Sequence, residues 1–428
     1  MRNTKKENNP LRIDVQSEIG SLNAVLLHTP GPEVENMTPR MAQRALYSDI
    51  LNLSIAQKEY EQIEGVLSKV ARVYQVRDLL ARVLDNAEAR RELITRICIA
   101  EQAGGCFDTL MGMSTPQLVK ALIEGLPARI DTLTAFLNED YYSLFPLYNF
   151  YFTRDSSVTI GNNALICRMA NQVRAREAMI MDAIYRRSGC FDCGTIDLQN
   201  VVPDRGQLFI EGGDVHVVRD DILVIGNGMR TSAAGIDALA AHFCDLCPQG
   251  KKHIIVQQLP ASPESFIHLD MVFTLLDRDK CMVFEPLILH DRSFKTVHIT
   301  IEDGKVSRIR SVSGILPALR GLGMDLEPIC CGGSSDSWVQ EREQWHSGSN
   351  MFAFAPGKVL CYARNEATLR EMDKHGFEVM AARDVIAGRK KLEDYARCCV
   401  TIQGSELPRG GGGARCMTMP LSRKAVEW

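Results

Sequence analysis

Residues 208–226 have the sequence LFIEGGDVHVVRDDILVIG, in which runs rich in apolar and β-branched residues are separated by turn-forming residues. Such runs predict short strands joined by a turn. A helical run, AAGIDALAAHFC at 233–244, and a further apolar run, HIIVQQL at 253–259, follow along the chain. This part of the sequence therefore predicts strands with an intervening helix.

Runs of the same kind fill the chain after Tyr141. They include SSVTIGNNALIC at 156–167, MVFTLLDRDKCMVF at 271–284, TVHITIEDGKVSRIRSV at 296–312 and MFAFAPGKVLCYA at 351–363. Strands that recur with helices between them, at spacings of about 40–60 residues, predict an α/β protein of repeated mixed-sheet units. No sequence period accompanies the repeat, so we expect it to be structural only.

The first third of the chain is predicted to contain more helix and fewer strands. The segment from Leu22 to Leu27 predicts a strand, residues 42–70 predict one long helix, and residues 70–76 predict a second strand. Residues from about 78 to 138 are rich in Ala, Leu, Arg and Glu, and predict several consecutive helices. We interpret this last segment as a helical insertion.

The overall composition narrows the functional classes. The 428 residues carry 49 Lys and Arg against 53 Asp and Glu, a formal charge of -4, which lacks the basic excess typical of nucleic-acid or anionic-membrane binding. The polar start has no secretory-signal core, and no apolar run approaches the roughly 18 residues of a membrane span. We therefore expect a soluble cytoplasmic protein that acts on a small molecule.

The fourteen cysteines do not follow a disulfide framework, since some are adjacent in the sequence. Two CxxC pairs, Cys190 with Cys193 and Cys244 with Cys247, raise the question of a structural zinc site. The two pairs are too far apart for a zinc ribbon. We expect reduced thiols and no metal.

Four consecutive glycines, Gly410 to Gly413, come shortly before Cys416. A glycine run cannot pack a core, but it lets the backbone approach a ligand or move as a gate. Arg415 stands beside the thiol, and a neighbouring cation lowers the pKa of a thiol. Taken alone, the segment fits a frayed tail with an incidental cysteine as well as it fits a nucleophile. Other acid–base groups are therefore needed.

Acidic residues and one histidine interrupt apolar runs elsewhere in the chain. His268 and Asp270 are two residues apart in a run that predicts a strand, so their side chains would point to the same face. Glu211 precedes a Gly-Gly pair, and Asp155 follows the aromatic run YFTR. Each has an ordinary structural explanation. Together with Cys416 they suit one purpose: carboxylates hold a cation, a histidine moves protons and a thiolate attacks carbon.

Five segments occur in the order in which they stand in a known family. They are Asn149-Phe-Tyr-Phe-Thr-Arg-Asp155, Glu211-Gly-Gly-Asp214, His268-Leu-Asp-Met-Val-Phe273, Arg342-Glu-Gln-Trp345 with Gly348-Ser-Asn350, and Arg415-Cys-Met-Thr-Met-Pro420. In these segments the chain resembles the bacterial arginine deiminases, and the resemblance runs from Glu18 nearly to the C-terminus. Five ordered motifs with a nucleophile among them are far more specific than any one alone.

The resemblance implies the pentein fold, a five-bladed α/β-propeller, with an inserted α-helical subdomain. The insertion would match residues 77–140, and the propeller would comprise residues 1–76 and 141–428. Cys416, the implied nucleophile, would then stand near the C-terminal end of the propeller.

Carried over residue by residue, the resemblance makes Cys416 the nucleophile and His268 the general acid and base. Asp155 and Asp270 would grip the guanidinium of the substrate, and Glu211 would orient His268 and touch the substrate.

Four further positions are implied to bind substrate. Arg174 and Arg230 fall where the family binds the α-carboxylate, and a fork of two arginines suits a carboxylate. Asn149 and Phe152 fall where the family lines the site. From the residues alone, each arginine is typical of a solvated or ion-paired surface position.

The activity implied is hydrolysis of L-arginine to L-citrulline and ammonia through a covalent thiouronium intermediate on Cys416, without a cofactor. The partner would be a small guanidine, and a homo-oligomer is left open. Relatives with the same fold act on agmatine or modified arginines, or release two ammonia as dihydrolases, and fold analogy does not separate them. A catalytically silent arginine-binding protein and a zinc-stabilised interaction module are the alternatives from other classes.

The loop before the cysteine departs from the family. Arginine deiminases commonly carry a pattern like RGRGG there, whereas here Arg409 is followed by four glycines, and Gly411 stands where the second arginine would be. Because that arginine helps to close the site, its absence predicts a loop that is mobile without ligand and a weaker affinity for arginine. Gly411→Arg should tighten binding if the backbone of residue 411 has a negative φ.

Overall fold

The computed structural model describes residues 9–37, 39–42, 47, 49–138, 141–199, 201–203, 206–246 and 249–428. Within these residues the chain has a mixed α/β fold. Its strands are β1 (Leu11–Arg12), β2 (Leu22–Leu27), β3 (Arg72–Gln75), β4 (Leu126–Pro127), β5 (Tyr142–Leu144), β6 (Ser157–Ile160), β7 (Asn163–Ile166), β8 (Phe191–Asp192), β9 (Gly194–Asp197), β10 (Val215–Arg219), β11 (Ile222–Asn227), β12 (Lys251–Gln258), β13 (Phe273–Leu275), β14 (Lys280–Val283), β15 (Thr296–Glu302), β16 (Lys305–Val312), β17 (Glu327–Cys330), β18 (Phe352–Ala355), β19 (Lys358–Tyr362), β20 (Glu378–Ala381), β21 (Cys398–Ile402) and β22 (Met419–Arg423).

Helices connect most of these strands. They are α1 (Pro32–Glu35), α2 (Pro39–Ala42), α3 (Leu53–Val70), α4 (Val76–Asp85), α5 (Ala87–Ala100), α6 (Phe107–Gly112), α7 (Thr115–Glu124), α8 (Leu133–Asn138), α9 (Thr153–Ser156), α10 (Ala175–Arg187), α11 (Ala233–Leu246), α12 (Ile315–Arg320), α13 (Ser337–Trp345), α14 (Glu366–Lys374) and α15 (Ala382–Ile386).

The described strands form five sheets of three or more strands. Their strand orders are β22-β2-β3, β6-β7-β9, β10-β11-β12-β15-β16, β13-β14-β17 and β18-β19-β21-β20. Each contains an antiparallel pair in which one strand also has a parallel neighbour, as in β6-β7 followed by β9. A parallel neighbour requires a crossover connection, which is why helical runs separate the strands in the sequence. The repeated mixed-sheet units expected from the sequence are therefore present.

One sheet joins the two ends of the described chain. Strand β22 pairs antiparallel with β2, and β2 pairs parallel with β3. Because Cys416 stands three residues before β22, this pairing carries the cysteine back to the beginning of the fold. The N-terminal and C-terminal parts of the chain therefore share one sheet.

Helix α3 begins later than the sequence pattern predicted. The prediction of one helix over 42–70 is wrong between Asp49 and Asn52, where the backbone is not helical. The side chain of Asn52 accepts a hydrogen bond from the N–H of Ile55 and so fixes the start of the helix. Residues 43–46, which include two of the apolar positions used in that prediction, lie outside the described residues.

The helices predicted from about 78 to 138 are present as α4 to α8, and residues 139–140 lie outside the described part. No helix in the described ranges combines the length and apolar character needed to cross a membrane. In the same ranges no three His, Cys, Asp or Glu side chains are grouped so as to hold a metal ion. Of the two CxxC pairs, Cys247 lies outside the described residues.

The segment around His268 is not the strand that the sequence pattern predicted. His268 is extended, and a 3₁₀ turn over Leu269–Met271 follows it directly. The carboxylate of Asp214 accepts a hydrogen bond from the N–H of Leu269 at 2.8 Å, which satisfies a backbone donor at the start of this turn. The turn, rather than strand alternation, sets the positions of His268 and Asp270.

Candidate active site

The predicted site residues converge on a small internal cavity of about 30 Å³. Its lining consists of Asn149, Phe152, Asp155, Arg174, Arg230, Ile267, His268, Gly410, Gly411, Gly412 and Cys416. Glu211 contacts His268, and Asp270 lies against Cys416. The cavity is therefore narrow, and we expect its wall to move when a guanidine binds.

Cys416 lies in the turn between the glycine run and β22, and only 3% of its surface is exposed. Its sulfur is 3.7 Å from Asp270 Oδ2 and accepts a hydrogen bond of 3.1 Å from Asn350 Nδ2. Burial raises the pKa of the Cys416 thiol well above its usual value, and the charges of Asp270 and Asp155 add to this effect. These surroundings favour the thiol, and a substrate cation beside the sulfur would favour the thiolate.

His268 is paired with a carboxylate on each side of its ring. Its Nε2 is 3.0 Å from Glu211 Oε2, and its Nδ1 is 3.7 Å from Asp155 Oδ1. Burial alone would lower the pKa of His268, but the charge of Asp155 and the hydrogen bond to Glu211 raise it to about 9. Burial opposes ionisation of Glu211, yet the hydrogen bond from His268 and the charge of Arg230 lower its pKa to about 2. At neutral pH the histidine is therefore a proton donor.

Each of the two aspartates uses one of its two carboxylate oxygens to accept a hydrogen bond from an arginine. Asp155 Oδ2 accepts from Arg174 at 2.7 Å, and Asp270 Oδ2 accepts from Arg415 at 2.9 Å. The Oδ1 atoms of both aspartates, and Nδ1 of His268, are buried without a hydrogen-bond partner among the described residues. Buried polar atoms of this kind are rare and call for an explanation. A cation that carries several N–H donors would satisfy the two carboxylates.

Arg415 does not point its guanidinium at the neighbouring thiol. Its Nε and one terminal nitrogen donate to the two oxygens of Glu18 at 3.1 and 3.0 Å, and the other terminal nitrogen donates to Asp270. Burial would raise the pKa of Glu18, but the charges of Arg415 and Arg154 hold it far below its usual value. A residue near the start of the fold thus fixes the cation that balances Asp270.

The two candidate carboxylate-binding arginines have different surroundings. Arg174 donates to Asp155 at 2.7 Å and to Glu177 at 2.7 and 3.1 Å, and it is almost fully buried. Arg230 makes one longer approach, 3.6 Å to Glu211, and its side chain is 14% exposed. The role of both in binding a substrate carboxylate stays a prediction. The geometry gives Arg174 the further task of holding Asp155 in place.

Helix α9 and the residues before it position Asp155 and form one wall. The carbonyl oxygens of Asn149 and Phe152 accept hydrogen bonds from Arg174 at 3.3 and 3.5 Å. The ring of Phe152 lies so close to Gly412 that a Cβ added to Gly412 would be 2.4 Å from a ring atom. Both predicted lining residues are therefore in the wall.

A larger cavity of about 810 Å³ lies on the other side of the glycine run. It is lined by Asp49, Met229, Arg230, Glu264, Ser265, Ile267, Met271, Trp345, His346, Arg364, Gly404, Ser405, Pro408, Arg409, Gly410 and Gly411. Arg230, Ile267, Gly410 and Gly411 line both cavities. The small inner cavity and the larger outer cavity therefore adjoin at these residues.

The loop is anchored at its start and at Gly412, whose carbonyl oxygen accepts a hydrogen bond from the Tyr362 hydroxyl at 2.9 Å, and it has no side chains in its middle. The carboxylate of Glu59 accepts hydrogen bonds from the backbone N–H groups of Ser405 and Leu407 at 2.5 and 2.9 Å. Gly411 has φ of 85°, in the left-handed region that favours glycine. The condition of a negative φ at residue 411 is therefore not met, although an added Cβ would meet no atom of the described residues within 4 Å.

Comparison with known proteins finds relatives that match this chain over nearly its whole length. The family model described as "Arginine deiminase" matches residues 43–423. An arginine deiminase of Bacillus cytotoxicus is 33% identical over 435 residues, which cover 97% of this chain and 99% of that protein. An arginine deiminase of Streptococcus gordonii is 32% identical over 432 residues with the same coverage. This chain belongs to the arginine deiminase family.

Solved structures resemble this arginine deiminase family member in fold. An amidinotransferase of saxitoxin biosynthesis from Microseira wollei has a TM-score of 0.51 at 14% identity, and the match covers 97% of this chain and 98% of that one. The product-bound N-terminal domain of ArgZ, a cyanobacterial arginine dihydrolase, has a TM-score of 0.52 at 13% identity, covering 95% and 100%. At such identities the likeness shows the fold alone, and the predicted mixed α/β fold is confirmed.

Sequence reasoning assigned no role to two residues that the structure brings into the site of this family member. Glu18 binds Arg415, and Asn350 contacts Cys416. Both stand in segments that carry the resemblance to the family, Glu18 at its beginning and Asn350 at the end of the run Gly348-Ser-Asn350. Their position in those segments was the available signal.

Proposed function

We propose that this protein is an arginine deiminase that hydrolyses L-arginine to L-citrulline and ammonia. The observation that carries the proposal is the cavity whose lining includes both the Cys416 thiol and the His268 imidazolium. Asp155 and Asp270 each bring to this site one buried oxygen that has no hydrogen-bond partner among the described residues. A guanidinium cation has the charge and the N–H donors that these oxygens lack.

Substrate binding would prepare the nucleophile. The carboxylates of Asp155 and Asp270 hold the guanidinium planar beside the sulfur of Cys416. Because the substrate cation offsets the two negative charges that oppose thiolate formation, its arrival lowers the pKa of Cys416. The thiol proton then leaves to solvent before the glycine run closes.

In the first step, the Cys416 thiolate adds to the guanidinium carbon and forms a C–S bond. His268 transfers its proton to one terminal nitrogen, the C–N bond to that nitrogen breaks, and ammonia leaves. The enzyme then carries an S-alkylthiouronium cation that retains the whole ornithine skeleton, and His268 is neutral. Glu211 keeps the imidazole oriented through its 3.0 Å contact.

In the second step, neutral His268 takes a proton from a water molecule, whose oxygen adds to the same carbon. The C–S bond breaks with its electron pair returning to sulfur. The added oxygen becomes the ureido carbonyl of citrulline, and its proton passes to solvent. The Cys416 thiolate and protonated His268 are thereby restored, and the sulfur regains its proton from solvent when the product leaves.

A related guanidine hydrolase is the second candidate function. Gly411 offers no side chain to the substrate, and the outer cavity of about 810 Å³ leaves room beyond the inner cavity. Arg230 lines both cavities and is the side chain best placed to meet a substrate carboxylate. Arginine is preferred over agmatine on this account because agmatine has no carboxylate for Arg230 to bind.

We further infer that the five larger sheets are the blades of a pentein propeller. The common antiparallel-plus-parallel unit and the sheet that joins β22 to β2 support this arrangement. Residues 77–140, which lie largely in α4 to α8, would be the inserted helical subdomain. Residues 1–76 and 141–428 would then form the propeller.

Product analysis on a panel of guanidines tests the proposed function. The purified protein is incubated with arginine, agmatine and Nω-methylarginine, and ammonia, citrulline and ornithine are measured. We expect one citrulline and one ammonia for each arginine consumed. Ornithine with two ammonia would indicate a dihydrolase, and binding of arginine without turnover would indicate a silent binding protein. Either result would overturn the proposal.

A further inference from the structure

The side chain of Asn350 stands between the backbone of the nucleophile and its sulfur. Asn350 lies between α13 and β18, and only 1% of its surface is exposed. Its Oδ1 accepts hydrogen bonds from the backbone N–H groups of Arg415 at 2.9 Å and Cys416 at 3.2 Å. Its Nδ2 is 3.1 Å from Cys416 Sγ and 3.6 Å from Met271 Sδ.

These contacts fix which end of the amide faces the sulfur. Backbone N–H groups are donors only, so the atom that meets both of them has to be the carbonyl oxygen. The NH₂ group of Asn350 is then the end that faces Cys416. It presents the positive end of an amide dipole to the sulfur, an arrangement that favours the thiolate over the thiol.

We infer that Asn350 is a catalytic residue that donates a hydrogen bond to the Cys416 sulfur and so stabilises the thiolate that attacks the substrate. This inference rests on the proposed function, because it concerns the nucleophile of that reaction. Asn350 contacts the reacting atom itself, and no other residue has to transmit its effect.

The charges around the sulfur explain why a neutral donor is suited to this place. The groups that face Cys416 or line its cavity and carry or can acquire charge are Asp155, Asp270, His268, Arg174, Arg230, Arg415, Tyr151 and Tyr362. The two aspartates oppose a negative sulfur, yet the substrate cation needs them. A further cation at the position of Asn350 would repel the guanidinium, whereas an amide stabilises the sulfur without adding charge.

The last glycine of the run makes room for this amide. A Cβ added to Gly413 would lie 2.7 Å from the Cβ, the carbonyl oxygen and Oδ1 of Asn350. The backbone N–H of Gly413 also lowers the pKa of Cys416, against the larger effect of burial. The lack of a side chain at Gly413 therefore leaves space for the Asn350 amide beside Cys416, whereas Gly411 lies where the two cavities adjoin.

The test is the pH dependence of Cys416 alkylation in Asn350→Ala and Asn350→Asp. Iodoacetamide is added to the full-length protein without arginine, and the alkylated Cys416 peptide is quantified by mass spectrometry. A hydrogen bond to a charged group predicts that the pKa governing alkylation rises by about 1–2 in each variant, so alkylation slows about 10- to 100-fold at a fixed lower pH. kcat for arginine should fall by a similar factor, with little change in KM.

Asn365→Asp is the matched control. Asn365 is also a buried asparagine, and its Nδ2 donates to the carbonyl oxygen of His346 at 3.1 Å, away from the thiol. We expect this variant to leave the alkylation pKa of Cys416 unchanged. Thermal unfolding of all three variants identifies any that do not fold, and Asn350→Ala alone suffices if Asn350→Asp is one of them.

The outcomes separate this inference from the proposed function. An alkylation pKa that is equal in wild type, Asn350→Ala and Asn350→Asp would overturn the role of Asn350, whether or not arginine is turned over. A raised pKa in both variants would support that role even if the wild type released no ammonia from arginine. In that second case the proposed function would fail and the effect of Asn350 on the sulfur would stand.

Discussion

The two walls of the inner cavity are built in opposite ways. On one side, Asp155, His268 and Cys416 are each held by a buried partner, namely Arg174, Glu211 and Asn350. On the other side, Gly410 to Gly412 contribute no side chains, and the loop is held by Glu59 at its start and by the Tyr362 hydroxyl, which donates to the carbonyl oxygen of Gly412 at 2.9 Å. One wall is fixed by charged and polar side chains, whereas the other is held only through its backbone.

The two walls therefore contribute to different steps. The wall with charged side chains determines the rate of the chemical step, and the glycine wall affects the affinity for the substrate. Charged groups fixed by the fold need no reorganisation when the guanidinium enters. Ordering a glycine loop opposes binding by about 1–2 kcal/mol of backbone entropy per residue. We therefore expect efficient chemistry with a comparatively weak affinity for arginine and some tolerance of changes near the α-carbon.

The largest effect is expected from Cys416→Ser in the wall fixed by charged and polar side chains. A serine hydroxyl near its normal pKa is a far weaker nucleophile than a thiolate, so turnover of arginine should fall by several orders of magnitude. Arginine binding, measured by calorimetry, should persist because the carboxylates remain. Cys281→Ser, which alters a buried thiol on β14, is the control and should retain turnover. Rapid turnover by Cys416→Ser would show that another residue attacks the substrate.

The protonation of His268 should make the free energy of unfolding depend on pH. Since its pKa is raised from 6.5 to about 9 in the folded protein, its ionic contribution is complete below pH 6.5 and is lost as the pH rises through about 9. The contribution is on the order of 3 kcal/mol. Urea unfolding of wild type and His268→Gln, below pH 6.5 and above pH 9, measures it. The difference between the two proteins should shrink at the higher pH, and a constant difference would contradict a protonated His268.

Alanine variants of Arg230 and Arg174 test whether each arginine binds the carboxylate of the substrate. Arg230→Ala should weaken arginine more than agmatine by about one to two decades, since a charge-assisted contact contributes about 1.5–3 kcal/mol and only arginine has the carboxylate. Arg174→Ala should impair both substrates, because it also releases Asp155. Steady-state kcat/KM for each substrate measures these effects. Equal losses for Arg230→Ala would show that Arg230 does not bind the carboxylate.

The smallest effect is expected at Gly411. A non-glycine residue in the left-handed region destabilises the backbone by about 1–2 kcal/mol, so Gly411→Arg should not tighten arginine binding despite its added charge. Gly411→Ala is the control that has the same backbone strain without the charge. KM for arginine and urea midpoints are compared for both. Tighter binding by Gly411→Arg alone would mean that the loop adopts another backbone conformation around the substrate.

The sequence was most informative where a residue type and a local pattern sufficed. The runs around β10 and β11 predicted strands because apolar periodicity reflects burial. Cys416, His268 and Asp155, which the sequence singled out, line one cavity, and their roles stay predictions. The strand proposed for His268 failed because a distant carboxylate, Asp214, fixes a turn there.

Contacts between distant segments could not be predicted in the same way. Glu18 and Arg415 are 397 residues apart in sequence, and Asn350 and Cys416 are 66 apart. Nothing local in the sequence around Glu18 or Asn350 indicates its partner, because the pairing of β22 with β2 and the turn before β18 create these contacts. The sign of φ at Gly411 could not be predicted either, because glycine adopts positive and negative φ values.

The central claim is that Cys416 attacks the guanidinium carbon and ammonia leaves first. Its most direct test is acid quenching during turnover of arginine, followed by mass spectrometry of the Cys416 peptide. The account predicts an adduct on Cys416 whose added mass is that of arginine less ammonia, because the ornithine skeleton stays attached. An adduct that holds only an amidino group, with free ornithine in solution, or turnover with no adduct on Cys416, would contradict it.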